Sequence, residues 1–509
     1  MPPPSLSLWS HGSTFPAELF EKIFGNLGRK ELRILLAVSV QCFHICVRLL
    51  YRRVEWPTYI ELFKRYPFFV ECTMRGFRYA EVVRTLVLGE HTTQSNPDAT
   101  DWKLTEVCYA ISQFKELRSL SLECTTIPAY TFPKILATLP RLEHFYHCNK
   151  ENGSRPYSFT PYRFSPWIYH LPQNIPNLTN IEFRRIAVDD RFGYSDEGVV
   201  CLAALFSLPS LTTIRTDITS WARLTRARRR ARLNPSNSLH TISISQEDYD
   251  LPMSSLEIAH LLEVVQACTS SLEILHVFLS YPVDTSRLAD QSQTLDLVRL
   301  REFVGPEEFL EFLMFTEKVE VIWVPSPRRL FGVSPFETGG LCCPNLRLLS
   351  VGSWDAGVYS FHSLLAQLPN LEELSLTPLH SLEKEGLLAM AGSLLLCGRL
   401  YAISILCPPG KVPAWECGDV LEAWSSHLPS LQFVRFQSDY FLHRHNVTGS
   451  DWRLSLWIMM DVLFPPRACA PGVDRIYWQN WVGVSLQQYI DGWWSLPSLE
   501  YPSLEDVAV

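Results

Sequence analysis

One short phrase returns six times along this chain: LPRLEHFYH from Leu139, IPNLTNIEF from Ile175, LPSLTTIRT from Leu208, CPNLRLLSV from Cys343, LPNLEELSL from Leu368 and LPSLQFVRF from Leu428. Each reads P-x-L-x-x-apolar, usually with another apolar residue two positions on. Without the proline, the L-x-x-L-x-L core recurs from Leu117, Leu239, Leu272, Leu295, Val319 and Leu400, and more weakly from Val83 and Val473. The first apolar positions are 83, 117, 142, 178, 211, 239, 272, 295, 319, 346, 371, 400, 431 and 473, mostly 23 to 36 residues apart. Self-similarity at such a period is the mark of a small supersecondary unit used repeatedly, which constrains the fold more than any single motif.

Within each copy the L-x-L alternation has the period of a strand with one buried face. The segments between copies often show helical spacing, as in FPKILATL from Phe132 and FHSLLAQL from Phe361. One strand and one helix cannot bury their apolar faces alone, so neighbouring units must stack. The chain has 509 residues, 47% hydrophobic and 19% charged, which is too long for one compact core and too apolar for disorder. The expected fold class is α/β, with about 14 irregular strand-helix units. The pattern resembles the leucine-rich repeat over roughly residues 83–495, and the resemblance implies a horseshoe-shaped solenoid with an open sheet face.

A second kind of signal precedes the repeats. In FPAELFEKIFGNLGRKELRILLAVSVQCFHICVRLLYRRVEW, Phe15 to Trp56, the residues Leu19, Phe20, Ile23, Phe24 and Leu27 mark one face of a helix entered through Pro16. GRKE breaks it, and two further runs, Leu32 to Val38 and Val40 to Leu50, complete three short helices. Some forty residues cannot cover all these apolar groups, so a partner or the repeats must share the task. FPAELFEKIFGNL stands where the F-box family has L-P-x-E-[LI]-x-x-x-I-F-x-x-L, and LLAVSVQCFHICVRLLYRRV is similar to that family's second half. Phe15 replaces the usual leucine, and Val40-Gln41 replaces a commoner polar or basic pair. The resemblance implies binding to the Skp adaptor of cullin-RING ubiquitin ligases through Phe15, Pro16, Leu19, Ile23, Phe24 and Leu27. The expected organisation is a flexible tail over 1–14, the F-box over 15–56, a linker helix or cap over 57–82, the repeats over 83–495 and a tail over 496–509.

No constellation for bond chemistry is present: the chain lacks G-x-x-x-x-G-K-[ST], H-E-x-x-H and G-x-S-x-G. His144 and His147 lie three apart on an expected strand, which points them to opposite faces, and His443 and His445 have no third ligand nearby. Neither an enzyme nor a cofactor or metal site is expected. Fourteen cysteines without a C-x-x-C pair suit reduced thiols. The start MPPPSLSLWSHGS does not read as a secretory signal, so a cytoplasmic or nuclear location is expected. The run GLLAMAGSLLLCGRLYAISILC is broken by Arg399 and reads as a buried helix and strand, not a membrane span.

A net charge of -8 makes a general nucleic-acid surface unlikely. The local exception is WARLTRARRRARL, with Arg223, Arg226, Arg228, Arg229, Arg230 and Arg232. The favoured reading is a solvated helix in an inserted loop; the others are a nuclear import signal, an anionic-ligand site or a nucleic-acid contact.

The period-two rule places Tyr146, Glu182, Arg184, Arg215, His276, Phe278, Arg299, Arg301, Trp323, Arg435, Arg475 and Tyr477 on the open sheet face. Among them Phe278, Arg299, Arg301 and Trp323 come from three consecutive expected units, and aromatic and arginine side chains dominate binding hot spots. These four are the candidate target-binding residues. The functional expectation is a substrate receptor of an SCF-type ubiquitin ligase that holds an unknown target protein. The alternatives are an adaptor-binding scaffold without a ubiquitination role and a small-ligand-dependent co-receptor of the same architecture.

Overall fold

In the computed structural model the described residues are 17–56, 59–71, 73–74, 77–89, 109–123, 132–148, 175–184, 203–245, 255–278, 295–306, 309–310, 313–314, 318–324, 343–354, 358–378, 384–405, 418–435, 440–444 and 452–456. The chain divides into two compact units, Met1–Leu272 and Glu273–Val509. The expected tails, the repeat from Val473, Arg475 and Tyr477 lie outside the described residues.

The first unit opens with three helices, α1 (Ala17–Phe24), α2 (Arg29–Leu35) and α3 (Val40–Tyr51). Ser39 has extended backbone and its Oγ accepts from the Cys42 amide at 3.1 Å, which satisfies one of the free amides at the start of α3. Phe24, Leu32, Ile45 and Cys46 form the shared core, with Phe20, Leu27, Leu35 and Leu50 among the residues packed against it. Strand β1 (Arg53–Trp56) follows α3 at once. Helix α4 (Tyr59–Glu71) packs beside it through rings: Trp56 lies 5.6 Å from Phe69, and Tyr51 lies 5.7 Å from Phe69 and 5.1 Å from Tyr79. A small antiparallel pair, β2 (Thr73–Met74) and β3 (Phe77–Arg78), comes next.

The parallel ladder of this unit runs β1, β4 (Thr85–Leu88), β5 (Ser119–Glu123), β6 (His144–Cys148), β7 (Asn180–Arg184), β8 (Thr213–Asp217) and β9 (Thr241–Ser245). It therefore begins at Arg53, inside the 15–56 segment and ahead of the first expected repeat at Val83. Helices α5 (Phe132–Ala137), α6 (Ile218–Arg230) and α7 (Ser255–Ala267) belong to the connections, as parallel pairing requires a crossover between strands.

The second unit repeats the scheme. Its parallel strands are β10 (Ile274–Phe278), β12 (Glu302–Val304), β14 (Val321–Val324), β15 (Leu348–Trp354), β16 (Glu373–Pro378), β17 (Ala402–Ile405) and β18 (Phe433–Arg435). A short pair, β11 (Leu295–Asp296) and β13 (Leu313–Met314), lies apart. Helices α8 (Val358–Ala366), α9 (Lys384–Leu394) and α10 (Gly418–His427) serve the connections. After β18 the pairing turns antiparallel, through β19 (Tyr440–Arg444) and β20 (Trp452–Leu456).

The recurring L-P-x-L is a turn. The first leucine's carbonyl accepts from the second leucine's amide, at 3.1 Å for Leu139–Leu142 and Leu208–Leu211, 3.2 Å for Leu368–Leu371 and 3.1 Å for Leu428–Leu431. Proline suits the position after the acceptor because its φ is already set and its missing N–H is not needed there. All eight of these leucines are at most 1% exposed. The variable residue is not idle either: Asn177 and Asn370 donate to the Pro140 and Pro344 carbonyls, at 2.7 and 2.8 Å, and Ser210 and Ser430 donate to those of Leu178 and Leu400. The strand begins two residues after the second leucine. The next residue's carbonyl accepts two amides from the following repeat, as Arg118 does from Glu143 and His144. Both units are stacks of leucine-rich repeats.

One repeat sits in a different register from the expected one. Its anchors are Leu297 and Leu300, each 1% exposed, followed by Phe303 in β12. The expected start at Leu295 falls instead in the short β11. The phrase lacks proline, and its Val298-x-Leu300 imitated the strand alternation, although Val298 is 42% exposed. Gly305 follows Phe303 where neighbouring strands carry valine; a Cβ there would lie 2.8 Å from the Phe303 ring, which already fills the space.

Candidate functional site

Three surfaces carry the residues that the sequence singles out. The first lies on α1 to α3. Leu19 and Ile23, four apart on α1, are 41% and 51% exposed, and Ile34, Val38 and Val40 are 71%, 63% and 57% exposed. These five fall within 22 residues, whereas the other large exposed apolar side chains among the described residues are spread over the rest of the chain. Phe24 turns inward, 8% exposed, and Leu27 packs against the same core, so both hold the helices together. Phe15 and Pro16 lie outside the described residues.

The second surface is the open face of the sheet. In the second unit His276, Val304, Trp323, Ser350, Ser375 and Ser404 stand side by side in register. Phe278 reaches this row from β10, its ring 5.6 Å from Trp323 and 5.7 Å from His276, both edge-on. His276 and Glu302, both buried, meet at 2.9 Å. Phe278 and Trp323 are thus brought together as expected. Arg299 and Arg301 are not on this face: with the register set by Leu300, they lie in the turn ahead of β12, and Glu302 and Val304 take the open positions. Arg301 instead pairs with Glu320 at 2.8 Å. Further along, the Tyr401 hydroxyl donates to the Glu373 carboxylate, and burial raises the Glu373 carboxyl above the usual range.

In the first unit the expected open-face residues do line up. Tyr146, Glu182 and Arg215 are register partners, and Arg184 Nε donates to Glu182 Oε1 at 2.8 Å. Burial raises the Tyr146 hydroxyl pKa, so it acts as a neutral polar group. His144 is exposed and hydrogen-bonded to Asn180, while His147 on the opposite face is buried, as the strand period requires.

The third surface is the arginine run, and here the expectation of a solvated inserted loop is corrected. The run is α6, a repeat helix capped by Asp217, whose Oδ1 accepts from the Ser220 amide at 2.7 Å. Trp221, Leu224 and Ala227 are buried, and Arg228 is 2% exposed. Arg226 pairs with Glu257 at 2.9 Å, Arg228 and Arg229 with Glu263 at 2.8 and 2.9 Å, and Arg229 donates to His260 Nε2 at 2.8 Å. Burial alone would raise the Glu263 carboxyl, yet the two guanidiniums hold it below the usual range. Burial and Arg229 lower the His260 pKa, which keeps the ring neutral as an acceptor. The acids that α7 supplies lie some thirty residues away, which no local reading of the run could reveal.

Among the described residues no group of three His, Cys, Asp or Glu is placed to hold a metal ion, and no helix is long and apolar enough to cross a membrane. The six described cysteines are free thiols, and burial pushes Cys268 and Cys397 up to about 12.

No family model matches the chain, and no curated protein matches it. Among solved structures it is similar to the complex of Rad7 and Elc1 from yeast, at 14% identity over 82% of this chain and 87% of that one, with a TM-score of 0.35. It is also similar to the leucine-rich repeat-containing protein LegL7 from Legionella pneumophila, at 10% identity over 70% of this chain and 83% of that one, with a TM-score of 0.23. Likenesses this distant assign no function.

Proposed function

We propose that the chain is the substrate-recognition subunit of an SCF-type ubiquitin ligase, in which the amino-terminal helices bind the Skp adaptor and the repeats hold a target protein. The observation that carries this reading is the concentration of exposed apolar side chains on α1 to α3, Leu19, Ile23, Ile34, Val38 and Val40, beside a helical core that is already complete without them. Apolar surface that contributes nothing to its own fold is what a docking partner covers. The F-box resemblance over the same residues names the partner class. The chain itself makes or breaks no bond in this scheme. It raises the effective concentration of a target lysine near the ubiquitin-loaded conjugating enzyme.

The test is co-purification of the Skp adaptor with full-length protein and with a Leu19→Asp/Ile23→Asp variant. Both side chains are exposed, so the helical core is kept while the interface gains two unpaired charges. Recovery of the adaptor is expected to fall at least about tenfold, as for loss of a hot spot. Undiminished recovery would exclude this surface. Target-dependent ubiquitin transfer then separates a substrate receptor from a scaffold that only binds the adaptor.

A further inference from the structure

The repeat geometry aligns two rows of side chains at the strand entrances of the second unit. Immediately ahead of the buried anchors Val319, Leu346, Leu371 and Leu400 stand Lys318, Asn345, Asn370 and Arg399. Arg301, Glu320, Arg347 and Glu372 form the other row, each just after an anchor. A hollow of about 580 Å³ is lined by both rows.

The charges of the two rows behave differently. In the second, Arg301 pairs with Glu320 at 2.8 Å and Arg347 with Glu372 at 2.7 Å, and the Glu372 carboxylate raises the Arg347 pKa. These cations are already neutralised. In the first row Lys318 and Arg399 are exposed, and no carboxylate of the described residues pairs with either. The hollow therefore presents two unspent positive charges, one near each end. Between them, Asn370 gives its Nδ2 to the Pro344 carbonyl at 2.8 Å, which leaves its Oδ1 as an acceptor.

The spacing of those two charges selects a ligand. Lys318 leads into β14 and Arg399 into β17, three ladder steps apart. At about 4.8 Å per step they lie about 14 Å apart. An extended peptide advances about 3.3 Å per residue, so residues i and i+4 span about 13 Å and point to the same side. We propose that this hollow holds an extended acidic segment of a protein partner, with carboxylates four residues apart, one on Lys318 and one on Arg399. The Arg301–Glu320 and Arg347–Glu372 pairs are internally neutral, so the hollow offers two separate positive charges and not the continuous basic stripe that the evenly spaced phosphates of a nucleic acid require. The chain's net charge of -8 opposes such a polyanion as well. The proposal deepens the reading of the repeats as a target-binding surface and rests on it, but not on the adaptor assignment.

The experiment measures fluorescence polarisation of labelled Gly/Ser peptides carrying two glutamates one, two, three, four or five residues apart, with the full chain and no adaptor. The four-residue spacing is expected to bind tightest. Lys318→Gln and Arg399→Gln should each weaken it about three- to fivefold, the size of an exposed ion pair. Lys318→Glu/Arg399→Glu should abolish binding, and Arg226→Gln in the first unit should change nothing. Unaltered thermal melting of each variant shows that the fold is intact. Equal affinity for all spacings, insensitivity to both substitutions, no measurable peptide binding, or tighter binding of a single-stranded oligonucleotide would each overturn the proposal. Because no adaptor is present, these outcomes are independent of whether α1 to α3 dock one.

Discussion

The open face of the first unit reads Arg53, Thr85, Ser119, His144, Asn180, Thr213 and Thr241 across one register row and Glu55, Val87, Ser121, Tyr146, Glu182, Arg215 and Ser243 across the next. The same rows of the second unit read Ile274, Glu302, Val321, Leu348, Glu373 and Ala402, then His276, Val304, Trp323, Ser350, Ser375 and Ser404. The first face is polar almost throughout. The second is half apolar, with a buried acid, Glu302, and a half-buried one, Glu373, that each have a hydrogen-bonding partner. Beneath both runs the same spine: Val54, Leu86, Leu120, Phe145, Ile181, Ile214 and Ile242 in one, Leu275, Phe303, Ile322, Leu349, Leu374, Ile403 and Val434 in the other, none above 7% exposed. A leucine-rich repeat thus separates two jobs by side-chain parity. Inward positions are held to a narrow apolar set by packing, whereas outward positions range from exposed Arg53 and His144 to buried His276 and Glu302.

That comparison breaks first if the two spines are not equivalent. Leu120→Ala in the first unit and Leu374→Ala in the second should each cost about 2–5 kcal/mol, since both side chains are buried and leave a cavity. Ser375→Ala, on the open face between them in character, should stay within about 0.5 kcal/mol. Urea denaturation of the three variants checks this, and equal losses in all three would refute the assigned parity.

Acid sharpens the contrast, because the second inward row differs between units. In the first it carries His147 and Thr216 among Trp56, Leu88, Leu122, Phe183 and Ile244, whereas the second unit has Val277, Val324, Val351, Leu376 and Ile405. Burial pushes the His147 pKa down to about 3 from an ordinary 6.5. Between those values the unfolded chain binds a proton that the folded one does not. Stability is therefore full above pH 6.5 and falls as the pH drops toward 3, by about 1.4 kcal/mol per pH unit. His147→Phe should flatten that part of the urea midpoint's pH profile.

Within the first unit, α6 contrasts a buried arginine with exposed ones. Arg228→Ala should cost about 2 kcal/mol, less than a fully buried pair because Glu263 is partly exposed, while Arg226→Ala should cost less than about 1 kcal/mol. Similar losses for both would mean that burial of Arg228 contributes little. The smallest effect is a gain. Arg232 has φ 54°, and the Leu233 amide reaches the Arg228 carbonyl at 3.0 Å, a helix-ending turn that favours glycine. Arg232→Gly should raise stability by about 1 kcal/mol, read as a higher melting temperature.

The repeat, its parity and most anchor positions follow from the sequence alone, because a leucine that must be buried every 23 to 36 residues leaves a pattern that no partner is needed to interpret. Phe278 beside Trp323 and the alignment of Tyr146, Glu182 and Arg215 were legible for the same reason. Local pattern also suffices for three helices ahead of the repeats. Three things were decided only in the folded chain. The register of the Leu297–Leu300 repeat puts Phe303 between Leu275 and Ile322 in the ladder, and this moved Arg299 and Arg301 off the open face. Phe24 became core and Leu19 and Ile23 surface because α2 and α3 chose one side of α1. Three arginines of the run, Arg226, Arg228 and Arg229, are paired with Glu257 and Glu263, since an ion pair across thirty residues exists only once helices lie side by side. Short-range periodicity sets what is buried; which charges remain unspent is a property of tertiary neighbours.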